Sequence, residues 1–340
     1  MHSSDSLPIQ HNLDLKPYNS FGVSVIAKQF CSVTDADMLP AVFDHARSKN
    51  LPVLVLGGGS NMLLVDDFPG LVIHIRLGGV QCNKSSGLVK AGAGEGWHQL
   101  VLKCMNNGLH GLENLALIPG SAGAAPIQNI GAYGVELNQF VHSVGVYDNN
   151  RGAFDRLNGE ECQFAYRDSL FKREDGAGLI ITDITLQLHR DWQPNISYQT
   201  LKEQLGTDSP DHQQVFEAVC RIRTSKLPDP EKLGNAGSFF KNPVITLVKY
   251  QQLQQDLPQL PAFPATSENE VKIPAGHLLD ELGWRGRKHG GAAVHNSHAL
   301  VLVNAGNANG REIYELSSEM RRSVLDRFGI DLQTEVTILP

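Results

Sequence analysis

A glycine-rich pentapeptide, residues 57–61, directly follows the apolar run 51–56. Glycine has no Cβ, so three glycines in succession allow positive φ angles and let several backbone N–H groups surround one anion. Ser60 and Asn61 add side-chain donors. The pentapeptide therefore predicts a phosphate-binding loop, although a tight turn between two strands would have a similar composition.

The spacing of this loop does not fit the common nucleotide-binding motifs. No lysine follows the glycines, and residues 62–65 predict a β-strand. A dinucleotide fold or a P-loop would place the N-terminus of a helix on the phosphate instead. Both are therefore disfavoured.

A second glycine-rich segment, residues 118–134, contains almost no charge. Its small residues would let a large planar ligand lie against the backbone. Gln128 and Asn129 offer paired amide donors and acceptors, which suit a flavin ring or a ribityl chain. A packed loop is the alternative for this segment taken alone.

A third segment, residues 235–243, places one hydroxyl where water can be excluded. Ser238 follows Gly237 and precedes Phe239 and Phe240. The alternative is a serine that caps a turn after Gly237.

Taken in order, with residues 166–169 between the second and third segments and Glu335 near the end, these motifs resemble the UDP-N-acetylenolpyruvoylglucosamine reductase family. These are flavin enzymes that complete UDP-N-acetylmuramate in bacterial cell-wall synthesis. The resemblance covers nearly the whole chain and depends on several long motifs in a fixed order. It is therefore far more specific than any single loop.

The resemblance implies an α/β (α+β) fold. A two-part FAD-binding region of the vanillyl-alcohol-oxidase/PCMH type would comprise residues 1–66 and 67–227. A smaller α/β substrate domain would follow over 228–330, and a C-terminal strand, 331–340, would return to the flavin site.

The implied reaction is NADPH-dependent reduction of an enolpyruvyl ether. FAD, held non-covalently, would deliver hydride to C3, and Ser238 would deliver a proton to C2. Arg167 would hold the substrate carboxylate, because its planar fork can make two charge-assisted bonds, and Glu335 would be its companion. The preference for NADPH over NADH and any activation by a monovalent cation stay open.

The resemblance also assigns binding residues. Contacts to the substrate are implied for Tyr166, Tyr198, Lys226 and Asn242. Contacts to FAD are implied for Gly57, Gly58, Gly59, Ser60, Asn61, Pro119, Gly120, Ile127, Gln128, Asn129, Gly131, Ala132 and Tyr133. Residues 121–125 differ from the more hydroxyl-rich or thiol-bearing loop of relatives, so individual flavin contacts there are not assigned.

Composition narrows the partners to small molecules. The chain has 340 residues and a formal net charge of −7, and it has no tract of lysine or arginine that would attract nucleic acid. The basic clusters 221–226 and 285–288 are the candidate anion sites. The five cysteines are widely spaced and suggest reduced thiols in a cytoplasmic protein. The N-terminus has no basic region followed by an apolar one, and no apolar run approaches the length of a bilayer span, so we expect neither secretion nor membrane insertion. We also expect a monomer.

No metal site is expected. The closest pair of histidines, His295 and His298, has strand-like surroundings and no nearby pattern of thiols or carboxylates.

The sequence predicts a β-α-β beginning, in which Thr34 caps a helix with apolar residues between 38 and 46, and a strand over 51–56 follows. Further strands are predicted at 71–75, 88–91, 141–147 and 179–188. A helix is predicted over 96–107 and ends at Gly108, and its buried face comprises Trp97, Leu100, Val101 and Cys104.

Asp211 and Gln214 have the spacing of a capping box, and the helix that they begin must end before the proline pair at 228–230. After this linker, the sequence predicts a proline-rich loop over 257–274, a short helix over 277–282, a strand over 299–303 and a long helix over 311–328 that ends at Gly329. Glu335 is predicted to lie in a terminal strand with Val336 and Ile338.

Two alternatives to the reductase remain. One is an FAD-dependent alcohol or sugar oxidase or dehydrogenase of the same superfamily, which would not need Ser238 as an acid. The other is a non-catalytic nucleotide-sugar binder, which the joint presence of Arg167, Ser238 and Glu335 disfavours.

Overall fold

A computed structural model describes residues 7–189, 191, 193–265 and 267–339. Two compact units share the chain. Among the described residues, unit 1 takes in those up to 13, 26–59 and 68–225, and unit 2 takes in 14–25, 60–67 and those from 226 onward. Each unit therefore combines segments that are distant in sequence.

The secondary structure alternates short strands with a few longer helices. The strands are β1 Ile9–Asp14, β2 Ile26–Val33, β3 Val53–Leu56, β4 Met62–Leu64, β5 Phe68–Ile75, β6 Val80–Asn83, β7 Leu88–Gly92, β8 Gly131–Ala132, β9 Val135–Glu136, β10 Val141–Asp148, β11 Ala153–Asn158, β12 Leu179–Gln187, β13 Asn235–Ser238, β14 Val244–Thr246, β15 Phe263–Pro264, β16 Glu270–Lys272, β17 Lys288–His289, β18 Ala292–Val294, β19 Val301–Asn304 and β20 Thr337–Leu339. The α-helices are α1 Leu39–Ser48, α2 Trp97–Asn106, α3 Gln199–Leu205, α4 His212–Lys226, α5 Leu247–Asp256, α6 Ala275–Glu281 and α7 Gly310–Phe328. None of these helices is long and apolar enough to span a bilayer.

The first sheet of unit 1 has the strand order β1-β2-β5-β3. Strands β2, β5 and β3 run parallel, and α1 connects β2 to β3, so the predicted β-α-β beginning is confirmed. The predicted cap Thr34 is wrong. A 3₁₀ turn, Ala36–Met38, precedes the helix, and Asp35 caps that turn by accepting the N–H of Asp37.

The second sheet of unit 1 is antiparallel, in the order β11-β10-β12-β7-β6. Helix α2 buries the four side chains predicted for its inner face. Gly108 follows this helix with a φ of 67°, in the left-handed conformation that favours glycine. The capping box of α4 is also confirmed, since Asp211 and Gln214 each accept the other's backbone N–H at 2.8 Å.

Unit 2 contains a four-stranded sheet, β13-β19-β18-β17, with α7 packed beside it. Helix α7 buries an apolar face and ends at the predicted Gly329, which has a φ of 64°. The large apolar side chains of this face are Ile313, Leu316, Met320, Val324 and Phe328. The proline-rich region predicted as a loop instead supplies β15 and β16, which join β14 in a small sheet.

The C-terminal strand β20 pairs in parallel with β4, the strand that follows the first glycine loop. Glu335 was predicted to lie within that strand, but the strand begins at Thr337 and Glu335 lies in a bend before it. The backbone of 333–335 pairs with 239–241 instead, so Glu335 is not part of the pairing between β20 and β4.

Helix α7 begins with a capping box whose contribution to stability can be tested. The Asn309 side chain accepts the N–H of Glu312 at 2.9 Å, and the Glu312 side chain accepts the N–H of Asn309 at 3.0 Å. Asn309→Ala should lower the free energy of unfolding by about 1 kcal/mol. Asn309→Ser should lower it much less, because serine can also accept the N–H of Glu312. Urea denaturation followed by far-UV circular dichroism measures this difference, and equal midpoints for the alanine variant and the original protein would contradict it.

Candidate active site

The two glycine-rich segments approach each other within unit 1 at backbone distance. A Cβ on Gly58 would lie 3.0 Å from Cα of Gly120, and a Cβ on Gly57 would lie 2.7 Å from Oγ of Ser121. Side chains at either position would therefore separate the loops. The close approach explains Gly57 and Gly58, whereas Gly59 alone adopts the predicted positive φ, at 58°.

Helix α2 and the residues before it hold the second glycine segment in place. The N–H of Trp97 donates to the carbonyl of Gly120 at 2.9 Å, and the N–H of Ala122 donates to the carbonyl of Glu95 at 2.7 Å. A Cβ on Gly123 would lie 2.5 Å from Cβ of Ala93. Residues 121–123 thus face the protein interior.

The next turn of this segment is stabilised by buried polar groups. Asn129 is fully buried, and its Nδ2 donates to the carbonyl of Ala165 at 3.1 Å while its Oδ1 accepts the N–H of Asn138 at 2.9 Å. Ser169 is also buried and donates to the carbonyl of Ile127 at 2.6 Å. The Asn129 amide therefore organises the loop, while the Ile127 side chain, 40% exposed, is accessible to a ligand.

Arg167 is held against the same segment. Its backbone has a φ of 53°, an unusual value for a side chain of this size, and its Nη2 donates to the carbonyl of Gly131 at 2.6 Å. The guanidinium also lies 5.3 Å from the ring centre of Tyr166. The neighbouring carboxylate, Asp168, forms an ion pair with Arg173, whose Nη2 lies 2.7 Å from Asp168 Oδ2. The structure thus brings Arg167 to the predicted flavin segment.

Tyr198 packs on the end of this segment. The rings of Tyr133 and Tyr198 meet edge to face, with centres 5.4 Å apart. Two asparagines that the motifs did not identify fix this contact. Asn114 Nδ2 donates to the carbonyls of Tyr133 and Asn195 at 2.9 Å each, and Asn195 Nδ2 donates to the carbonyl of Gly134 at 2.9 Å.

A shielded cation lies beside Tyr133. The Arg223 guanidinium lies beside the Tyr133 hydroxyl, and its Nε has no hydrogen-bond partner among the described residues. Burial lowers the pKa of Arg223 and raises the pKa of Tyr133. A donor in this position suits an electron-rich ligand atom.

In unit 2, Ser238 and Glu335 lie on neighbouring segments. Ser238 is the last residue of β13, and directly after it the N–H of Phe239 donates to the carbonyl of Leu300 at 2.8 Å. The N–H of Glu335 donates to the carbonyl of Phe239 at 2.8 Å. Phe239 and Phe240 are buried, and Ser238 itself is half-buried.

Asn61 binds the same region of unit 2. Its Nδ2 donates to the carbonyl of Glu335 at 3.1 Å, and its own carbonyl accepts the N–H of Thr337 at 3.0 Å. The side chain predicted as a phosphate donor thus positions the backbone at Glu335.

The remaining predicted substrate residues of unit 2 have different surroundings. Lys226 is exposed at the end of α4, whereas Asn242 Oδ1 accepts the N–H of Ala275 at 3.1 Å and so caps α6. Burial lowers the pKa of His298, one of the two histidines considered above for a metal site. The described residues contain no cluster of three histidine, cysteine or acidic side chains that could hold a metal ion.

The second basic cluster is engaged in local contacts. Arg285 forms an ion pair with Asp280, and the Arg287 guanidinium lies 4.6 Å from the ring centre of Trp284.

Comparison with known proteins shows the family. Residues 27–157 match the FAD binding domain, and residues 229–339 match the UDP-N-acetylenolpyruvoylglucosamine reductase, C-terminal domain. UDP-N-acetylenolpyruvoylglucosamine reductase of Chromobacterium violaceum is 44% identical over 98% of this chain and 100% of its own length. The chain belongs to the UDP-N-acetylenolpyruvoylglucosamine reductase family. Its counterpart in Pasteurella multocida is also 44% identical, over 96% of each chain.

Solved structures agree with this membership. The UDP-N-acetylenolpyruvylglucosamine reductase of Thermus caldophilus has a TM-score of 0.70 and 26% identity, covering 98% of this chain and 100% of that chain. The 6-hydroxy-D-nicotine oxidase of Arthrobacter nicotinovorans has a TM-score of 0.55 at 12% identity, covering 97% and 88%, and shares the fold alone. The predicted fold class, an FAD-binding region with a C-terminal α/β domain, is confirmed.

The residues of unit 1 fit FAD. The two glycine loops meet at backbone distance with no side chain between them at Gly57 and Gly58, and the second loop ends at Tyr133, beside the shielded guanidinium of Arg223. Backbone N–H groups without side chains suit a pyrophosphate, and small residues suit the face of a planar ring.

The close approach predicts the effect of adding a single carbon atom. Gly58→Ala should weaken FAD binding about tenfold or more, because overpacking typically costs 1–3 kcal/mol. Gly306→Ala is the matched control, since a Cβ there meets no atom within 4 Å. Titration of FAD fluorescence measures both variants. Unchanged affinity of Gly58→Ala would show that the approach of the loops does not shape the cofactor site.

Proposed function

We propose that this protein is an NADPH-dependent FAD enzyme that reduces the enolpyruvyl ether of UDP-N-acetylglucosamine-enolpyruvate to UDP-N-acetylmuramate, a step of peptidoglycan synthesis. The observation that carries this proposal is the 44% identity over 98% of the chain to a reductase of that name. The reaction would place the protein in cell-wall biogenesis, with consequences for cell shape and division.

The proposed domain roles follow the sequence. Residues 1–66 and 67–227 hold FAD, residues 228–330 hold the sugar nucleotide, and residues 331–340 carry Glu335 back towards the flavin-binding part. When bound, FAD supplies the hydride that reaches C3 of the enolpyruvyl group. The chain must then stabilise the negative charge that forms at C2 and provide a proton for that carbon.

Arg167 serves as the anchor for the substrate carboxylate. Its left-handed backbone and its bond to the carbonyl of Gly131 restrict the guanidinium before substrate arrives. A cation fixed in this way stabilises charge that spreads from C2 into the carboxylate without reorganising during the reaction. Glu335 assists by polarising or protonating the enolate oxygen.

Ser238 serves as the proton donor to C2. Support comes from its position after Gly237, which has a φ of 72°, and before two buried aromatic residues. A hydroxyl is a weak acid in water, but a carbanion formed beside it in a shielded position is a strong base. The serine thus acts only when the charge at C2 has developed.

The uridine diphosphate part is gripped by Tyr198, Lys226 and Asn242, and Tyr166 lies beside the anchor Arg167. Support for Tyr198 as a substrate contact comes from its ring, which is 42% exposed and packs edge to face on Tyr133 at the end of the second glycine segment. The substrates are small molecules, and we propose a cytoplasmic monomer that binds no nucleic acid. The five free cysteines and the net charge of −7 are consistent with this.

Anaerobic half-reactions test the proposed function. Under nitrogen, NADPH should bleach the bound flavin, and only the enolpyruvyl sugar nucleotide should restore its colour. Rapid reoxidation by oxygen and none by this substrate would indicate a flavin oxidase. A protein that binds the sugar nucleotide and is never reduced would be a non-catalytic binder.

Tyr198 should affect substrate binding more than the reduction of flavin by NADPH. Tyr198→Ala should raise the dissociation constant of the sugar nucleotide about tenfold or more, as expected for an aromatic anchor. Tyr198→Phe is the control, because it keeps the ring that meets Tyr133 edge to face. An unchanged dissociation constant for the alanine variant would show that Tyr198 does not clamp the substrate.

Substitution of Ser238 should change the rates of the two half-reactions to different extents. Ser238→Ala should accept hydride from NADPH at nearly the normal rate, since that step protonates no substrate carbon. Its reoxidation by substrate should fall by roughly two orders of magnitude or more, the cost of losing a positioned acid. Ser238→Cys should recover part of this loss, because a thiol is the stronger acid.

Stopped-flow absorbance measures both steps, and Ser297→Ala, at an exposed serine, controls for the loss of a hydroxyl. Equal slowing of both half-reactions would indicate a structural serine. An unaffected second step would remove Ser238 from the mechanism.

A further inference from the structure

His98, the second residue of α2, contacts the chain just before the second glycine segment. Its Nδ1 accepts the N–H of Leu117 at 3.1 Å. The His98 ring is stacked on the ring of Phe216 from α4, with 4° between the planes and 5.8 Å between the centres. The imidazole is therefore held in one orientation by α4 while one nitrogen holds the loop.

Leu117 needs this contact because its backbone is strained. Its φ of 55° lies in the left-handed region, which a leucine adopts at a cost of about 1–2 kcal/mol. The residue lies directly before Ile118, where the predicted flavin segment begins. A donor left unpaired here would add to the strain, so the direction in which the segment leaves Leu117 depends on the imidazole.

The other contacts of this kind do not titrate. The indole N–H of Trp97 donates to the carbonyl of Leu115 at 2.9 Å, and backbone bonds link Trp97 to Gly120. His98 is thus the ionisable member of a row of contacts that fixes residues 115–122 along the start of α2. A protonated imidazole has hydrogens on both nitrogens and cannot accept the Leu117 N–H.

We propose that His98 is a positioning residue for the cofactor, whose neutral imidazole holds Leu117 in its left-handed conformation so that the loop that follows can bind FAD. The proposal rests on the proposed assignment of residues 118–134 to the flavin. It predicts that the affinity for FAD falls in acid, through loss of one hydrogen-bond acceptor outside the cofactor pocket.

The charges around His98 determine the sign of this effect. Burial, followed by the repulsion of Arg223 from α4, lowers the pKa of His98 below its ordinary value of 6.5. Neighbouring carboxylates are engaged elsewhere, Glu95 with the N–H of Gly79 and Glu113 with the N–H of Gly111. On α4, Glu217 pairs with Arg221.

The pH dependence follows from linkage. When the loop opens, the Leu117 N–H leaves Nδ1 and water reaches that nitrogen, so the pKa of the imidazole lies closer to its ordinary value than it does in the closed loop. FAD affinity should therefore be constant above about pH 6.5 and weaken by up to tenfold per pH unit below it, until the pKa of the closed state is reached.

Two substitutions distinguish the hydrogen-bond acceptor of His98 from the packing of its ring. His98→Asn places an amide oxygen near the position of Nδ1 and does not titrate, so it should bind FAD within about threefold of the original protein and lose the acid weakening. His98→Phe keeps a ring against Phe216 but accepts no hydrogen bond, and should bind FAD about tenfold more weakly at pH 7.5. His142→Asn, at an exposed histidine of β10, is the matched control.

The experiment measures FAD release from diluted holoprotein by fluorescence between pH 5 and 8, with hydrogen–deuterium exchange over residues 115–123 at pH 7.5. We expect faster exchange and weaker FAD binding in His98→Phe, with both restored in His98→Asn. FAD affinity of His98→Phe equal to that of the original protein would overturn the proposal, even if exchange increased. So would an asparagine variant as weak as the phenylalanine variant, or one with an unchanged acid profile. If the original protein binds no FAD at any pH, the proposed function fails instead, and exchange alone reports on the contact with Leu117.

Discussion

The close approach of two backbones, at Gly57–Gly58 and at Gly120–Ser121, is the constraint that the flavin-binding part depends on. A side chain on Gly58 would meet the opposite backbone at 3.0 Å, so the loops can meet only because one of them has no Cβ. The elements beside the contact maintain it. Strand β3 delivers the first loop from a parallel sheet, and α2 anchors the second through Trp97.

Backbone strain occurs in and beside the second glycine segment. Leu117, Tyr133 and Arg167 have positive φ angles, which side chains of their kind rarely adopt. Strain of this kind persists only where surrounding contacts over-determine the conformation. Buried hydrogen bonds provide those contacts, so the loops are held in their shape before a cofactor or a substrate binds, which lowers the entropy lost on binding.

Much of this organisation could be predicted because it depends on local chemistry. The apolar period of α7 and the capping box that begins α4 are encoded within one or two turns, and both are present. Thr34 was a wrong cap because Asp35, one residue later, competes for the same role and has the stronger acceptor.

The features that could not be predicted depend on distant partners. Glu335 lies outside the strand assigned to it because its backbone pairs with Phe239, almost a hundred residues earlier. The role of Asn114 could not be predicted for the same reason, because its amide donates to the carbonyls of Tyr133 and Asn195, which are distant in sequence. A lone asparagine gives no local signal of such a role. Local motifs therefore predict caps and turns better than they predict hydrogen bonds between distant segments.

The most direct test of this account is hydrogen–deuterium exchange of the protein with and without FAD, together with the stoichiometry of binding. The account predicts one FAD per chain, released intact on denaturation, and joint protection of residues 57–61 and 118–134 when FAD binds. Protection of only one loop, or flavin that stays attached after denaturation, would contradict the claim that two backbone-lined loops form a single non-covalent cofactor site.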